Sequence, residues 1–362
     1  MKRNNRNGRV TILLSVLTGT LLILVILLFL FFAKRDKGQD TEENTEHWET
    51  MESQSQESEE TQETETTEES VPEQESEDIP DLGSDLVFAG KDKWLFYQST
   101  VDGDTMADFY GTNAFSVAEM KEIAENLLKQ RDKIEAAGSK FVLLIVPNKE
   151  SVYFEYLPDE IREKKPKSSR TDDLVGYLQA NTDLDIIYMK DKYLSMKDAT
   201  RIYYKTDTHW NMVGCYVALQ EVLRNLYGTY TDVSEVTFQE HLHDFAGDLA
   251  AMADVGVTYG IDTVYFLGED QARDEQKVED SLLLVGDSFA EFLLLESPYY
   301  FKGGVINGDI VPYDYNFVKA TATNLSRKPD VVLWECCERH IDRLGWDEVK
   351  NEQETDKETE YE

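Results

Sequence analysis

The chain has 362 residues, with 72 acidic against 36 basic side chains and a formal net charge of −36. That balance argues against nucleic acid as the main partner, because such binding is driven by Lys and Arg neutralising phosphates. A hydrophobic content of 41% is enough for a real core, and three cysteines exclude a disulfide framework.

Residues 1–9 form a basic segment, read as cytoplasmic. Val10 to Ala33 carries no charge and is dominated by Leu, Ile, Val and Phe. At ~1.5 Å per residue it spans about 36 Å, enough to cross a bilayer core of roughly 30 Å. The basic residues before it place the N-terminus in the cytoplasm and residues 38–362 outside. The alternative, a cleaved signal peptide, lacks a small-x-small site, and the apolar run is too long for one. Residues 34–85 read as a linker. Positions 40–85 hold 19 Asp/Glu and no Lys or Arg, a composition that stays disordered and self-repelling. Residues 347–362, with eight acids and two lysines, read as a solvated tail. This leaves −17 on 86–346, a single domain.

Within that domain, Leu86–Phe88 and Trp94–Tyr97 predict a hairpin. Ser116-Val-Ala-Glu119 is a capping-box pattern, followed by apolar residues at helical spacing up to Gly138. Phe141–Val146 and Asp185–Met189 read as strands, Asn211–Tyr227 as an amphipathic helix stopped by Gly228. Leu282–Val285, Gly304–Ile306 and Asp330–Trp334 are further short apolar runs. Strands alternating with helices predict an α/β domain whose parallel sheet is covered on both faces.

Two segments can carry chemistry. In Leu282-Leu-Leu-Val-Gly-Asp-Ser-Phe289 a buried strand ends at Gly286 and a helix follows. Ser288 therefore sits at a strand-to-helix turn, where its hydroxyl projects from the sheet edge and nearby N–H groups can face developing negative charge. In Tyr203-Tyr-Lys-Thr-Asp-Thr-His-Trp-Asn211, Asp207 and His209 are two apart just before a helix. A serine needs an imidazole to accept its proton, and that imidazole needs a carboxylate to fix its tautomer. The positive end of the following helix is expected to help keep His209 neutral. Each segment alone has a plainer reading: Ser288 as an N-cap, Asp207 as a helix cap, His209 as a surface or core histidine.

Together they point further. Asp207-Thr-His-Trp210 and Gly286-Asp-Ser-Phe289 occur in order with Gly90-Lys-Asp-Lys-Trp-Leu-Phe96, Val146-Pro-Asn-Lys149, Gly247-Asp-Leu249, and Trp334-Glu335 through Glu338-Arg339. On these residues the chain resembles the SGNH-like polysaccharide O-acetyltransferases typified by the alginate acetylation proteins. The resemblance implies an SGNH-hydrolase-like three-layer α/β/α sandwich with a mainly parallel sheet, here preceded by one transmembrane helix. It implies Ser288 as nucleophile, His209 as general base and Asp207 as its orienting carboxylate. It also implies an extracellular polysaccharide acceptor and a multi-span membrane O-acyltransferase as acetyl donor. Weaker candidates for oxyanion or substrate binding are Gly286, Asn307 and Arg339. The chain ends soon after Arg339, with no recognisable carbohydrate-binding module following it.

His241-Leu-His243-Asp244 offers half a metal site without a third ligand, so no metal is expected, and no cofactor. Cys215, Cys336 and Cys337 are expected to pack as small buried residues. Lys149 is either near the site or in a surface loop. The expectation is an anchored enzyme that moves acetyl groups onto polysaccharide hydroxyls at the cell envelope. An acetylesterase using the same triad and a non-catalytic scaffold of an export complex remain open.

Overall fold

Phe141-Val-Leu-Leu-Ile-Val146 contains no polar side chain, so as a strand it must be covered on both faces. The computed structural model, which describes residues 79–229, 231, 235–244, 246–267, 277–308 and 316–347, shows that cover. Five strands form a wholly parallel sheet: β3 (Lys140–Val146), β4 (Ile186–Tyr188), β7 (Leu282–Val285), β8 (Val305–Asn307) and β9 (Val331–Cys337). Their order across the sheet is β4-β3-β9-β7-β8. Two antiparallel pairs lie outside it: β1 (Val87–Ala89) with β2 (Leu95–Tyr97), and β5 (Phe238–Asp244) with β6 (Ile261–Leu267).

Six α-helices of seven residues or more are described: α1 (Val117–Ala136), α2 (Arg170–Asn181), α3 (Lys190–Met196), α4 (Met212–Tyr227), α5 (Ala290–Glu296) and α6 (Phe317–Leu325). Alternation along β3 separates the layers. Val142, Leu144 and Val146 join a cluster with α4 and α5 residues such as Val217, Leu219 and Leu293. Phe141, Leu143 and Ile145 join a second cluster with Leu127 of α1, Leu174 of α2 and Phe317 of α6. This is the expected α/β/α sandwich.

Local signals account for the helix ends. Ser116 and Glu119 form a reciprocal capping box on α1. Asn211 caps α4 by accepting from the Val213 and Gly214 N–H groups, and Gly228 ends it in the left-handed region. Asn211 therefore does the capping that Asp207 was an alternative for.

Several boundaries differ from the sequence reading, and the strands read at 185–189 and 304–306 are Ile186–Tyr188 and Val305–Asn307. The hairpin strands are Val87–Ala89 and Leu95–Tyr97, and β9 runs three residues beyond Trp334. Glu335 looked like a strand end because it is charged, yet it is fully buried. Cys215, Cys336 and Cys337 are all buried and free. The basic segment, the apolar run 10–33, the linker up to residue 78 and the tail from 348 lie outside the described residues. No helix among the described residues is long and apolar enough to cross a membrane.

Candidate active site

The nucleophile turn follows β7, whose four residues are all buried. Gly286 is required by space: a Cβ there would come within 2.6 Å of the Glu335 side chain and 2.7 Å of Ala290 Cβ. Asp287, wholly buried, pins the turn from inside. Its Oδ1 accepts the Phe289 N–H at 3.0 Å and its Oδ2 accepts the Cys337 N–H of β9 at 2.9 Å. Its own N–H donates to Glu335 Oε2 at 3.2 Å. Burial, reinforced by the Asp287 charge, pushes the Glu335 carboxyl well above the usual range. Ser288 is left half-buried at the apex. Among the described residues, no acceptor takes its N–H.

The histidine sits on a tight loop. Tyr203 and Trp210 form an antiparallel bridge, Asn211 N–H donates to Ile202 O at 2.7 Å, and Tyr204 N–H donates to His209 O at 3.3 Å. Asp207 Oδ1 lies 2.7 Å from His209 Nδ1 and also accepts the His209 N–H at 2.9 Å. His209 Nε2 lies 2.8 Å from Ser288 Oγ. A carboxylate–imidazole–hydroxyl chain is thereby complete. The ring rests against Phe289, with centroids 4.8 Å apart, while Trp210 is buried beneath and meets Phe289 edge-on.

Burial opposes charge on both groups, but each stabilises the other. The His209 charge and hydrogen bonds hold Asp207 down to about 2 against that burial. Burial likewise pulls His209 down, yet the Asp207 carboxylate, with Asp248 adding, pushes it up to about 9. The helix after His209 was expected to keep the ring neutral. In the resting site the carboxylate prevails, because it touches the ring while Asn211 occupies the helix end.

Asp207 is braced from three sides. Asp248 N–H donates to Asp207 Oδ2 at 2.9 Å, and the Asp248 carboxylate accepts from the Thr208 N–H and hydroxyl. This approach needs Gly247, where a Cβ would lie 2.4 Å from Thr206 O. Lys149 is buried, not in a surface loop, and donates to the carbonyls of Asp207, Lys205 and Tyr204 at 2.7, 3.2 and 3.3 Å. Its ammonium stands over the Trp94 and Phe96 rings, so the 90–96 motif supports the same loop. From β6, the Asp262 carboxylate accepts the Lys205 and Thr206 N–H groups. Replacing Lys149 with Met keeps the length but removes the three hydrogen bonds that hold the Asp207, Lys205 and Tyr204 carbonyls. It should cost about 2–3 kcal/mol, a fall of roughly 5–10 °C in Tm, measurable by thermal melting of the full chain.

Gly286 thus serves packing. Asn307 lies exposed at the end of β8, opposite Leu284 in register. The Arg339 guanidinium is 95% buried over the Phe289 ring and donates Nε and Nη2 to Asp102 at 3.3 and 3.1 Å. His241 is exposed on β5. A metal-like grouping occurs instead at Asp207, His209 and Asp248, with donor atoms within 4.8 Å of one another. Those atoms are engaged with each other and with the Thr208 and Asp248 backbone.

Residues 87–303, more than half of the chain, match the family described as the SGNH hydrolase-like domain of acetyltransferase AlgX. The chain belongs to this family. A probable alginate O-acetylase AlgJ of Pseudomonas syringae pv. tomato is 31% identical over 139 residues, 38% of this chain and 32% of that protein. The AlgJ of Pseudomonas putida matches at 31% over 137 residues. The match spans about a third of these curated relatives' length. Among solved structures, PatB1 of Bacillus cereus shares the fold at TM-score 0.50 and 13% identity, over 72% of this chain and 98% of that one. The O-acetyltransferase domain of Pseudomonas putida AlgJ aligns at TM-score 0.48 and 20% identity, over 75% and 99%.

Within this AlgX-type domain, the supporting residues escaped sequence reasoning. Asp248 was visible only as part of Gly247-Asp-Leu249. Asp262 lies in no motif. Glu338, fully buried, accepts from Asn148 N–H, Ser151, Ser169 and Tyr188. Its place in the Trp334–Arg339 stretch was the only signal for it.

Proposed function

We propose that the chain is a membrane-anchored, extracytoplasmic O-acetyltransferase that carries acetyl on Ser288 to hydroxyls of a cell-surface or exported polysaccharide. The observation that carries this reading is the unbroken hydrogen-bond chain from Asp207 through His209 to a half-exposed Ser288. Ser288 Oγ attacks the donor's acetyl carbonyl as its proton passes to His209 Nε2. The oxyanion that forms is stabilised by the Ser288 N–H. As the carbonyl re-forms, the donor's C–O bond breaks and His209 returns the proton to the departing oxygen. A sugar hydroxyl then gives its proton to His209 and attacks the Ser288 ester. The sugar acetate leaves and Ser288 recovers its hydrogen. Asp207 holds Nδ1–H throughout, keeping Nε2 turned to the serine.

Acetyl thioesters of coenzyme A are cytoplasmic, so on this reading a multi-span membrane O-acyltransferase supplies acetyl across the bilayer. The apolar run 10–33 is the anchor and the acidic linker is the tether. The partners are the polysaccharide, the donor and the membrane.

The test is incubation of the full chain in detergent with an activated acetyl ester, with and without oligosaccharide. Intact-mass analysis should show one acetyl adduct, absent in Ser288→Ala, that is discharged to acetylated sugar. Discharge to acetate alone, unaffected by sugar, would make the protein an esterase. No adduct would leave it a scaffold.

A further inference from the structure

A second buried charged chain lies behind the nucleophile, using residues the reaction does not touch. His340 is 1% exposed. Its Nδ1 lies 3.0 Å from Asp287 Oδ2, and its Nε2 lies 3.0 Å from Asp102 Oδ1. Arg339 closes the chain on the other oxygen of Asp102. Asp287 accepts the Phe289 and Cys337 N–H groups, so it staples the Ser288 turn to the end of β9. Asp102 arrives from the loop after β2. There Gly103, at φ +78°, packs so closely on Arg339 that a Cβ would lie 2.7 Å from the Arg339 carbonyl oxygen.

Against burial, His340 and Arg339 hold Asp287 and Asp102 well below the usual carboxylate range, and Arg343 adds to this at Asp102. The imidazole bridges the two carboxylates, so it couples the turn that carries Ser288 to the loop after β2.

We infer that His340 clamps Asp287 to Asp102 and is a positioning residue for the Ser288 turn. This role rests on Ser288 being the nucleophile.

The test is acylation by an activated acetyl ester in Asp102→Asn, His340→Gln and the double variant. Each should lower the acylation kcat by roughly 10–100-fold with KM within about twofold, and the double variant should fall well short of the product of the singles. Single variants that keep wild-type circular dichroism and acylate within twofold of wild type overturn the positioning role. Absence of an adduct on wild-type Ser288 would instead overturn the acyl-enzyme reading, and the positioning role with it.

Discussion

Alanine at position 209 should slow acylation of Ser288 by at least roughly 1,000-fold, while the chain stays folded. A serine hydroxyl is a poor nucleophile unless its proton is taken as it attacks. His209 Nε2 is the group in hydrogen-bond contact with Ser288 Oγ, at 2.8 Å. Asp248 is no substitute, since it lies 3.7 Å from Nδ1, the far nitrogen of the ring. The measurement is the rate of adduct formation by intact mass, with circular dichroism as the control for folding. A folded His209→Ala variant that acylates within tenfold of the wild-type rate would mean that another base serves Ser288.

The second expectation concerns pH and Asp207. A general base works only when unprotonated. Burial lowers His209, but the Asp207 carboxylate outweighs it and pushes the ring up to about 9. The rate of acylation should therefore climb from neutral into the alkaline range. Asparagine at 207 removes the charge and leaves a side chain of the same shape. The midpoint of the climb should then fall toward the ordinary imidazole value of ~6.5. The plateau should nonetheless drop by roughly 10³–10⁴-fold, because an amide can present its N–H to Nδ1 and stabilise the wrong tautomer. The variant would thus hold more neutral imidazole at pH 7 and still be slower. An unchanged midpoint in Asp207→Asn would show that this carboxylate does not set the charge on His209.

The fold was legible where apolar pattern has one solution. The run 141–146 could only be a doubly covered strand, and the capping box at Ser116 and the stop at Gly228 marked helix ends by local chemistry alone. Asp207, His209 and Ser288 were legible because each fits a recognised motif. What supports them was not, for a physical reason. Lys149 was left between the site and a surface loop, Glu335 and Glu338 showed only as members of the Trp334–Arg339 stretch, and only the assembled domain supplies the carbonyls and hydroxyls that let them be buried. Arg339 was a weaker candidate for oxyanion or substrate binding because it follows a strand. Its fork is met by Asp102, 237 residues earlier, a pairing that no local window contains.

The order β4-β3-β9-β7-β8 has a consequence for how the protein is made. The middle strand of the sheet is the last strand described. Until β9 is available, β3 and β7 have no common neighbour, and both hydrophobic layers are split along the centre. The same segment brings Glu338 to Asn148, across 190 residues of chain, and His340 to Asp287. Native contacts at such separation are slow to form, because the entropy of closing the loop is lost before any of them is gained. No shorter intermediate holds a finished site, so a truncation before β9 should leave both hydrophobic layers split and the contacts of Glu338 and His340 unmade.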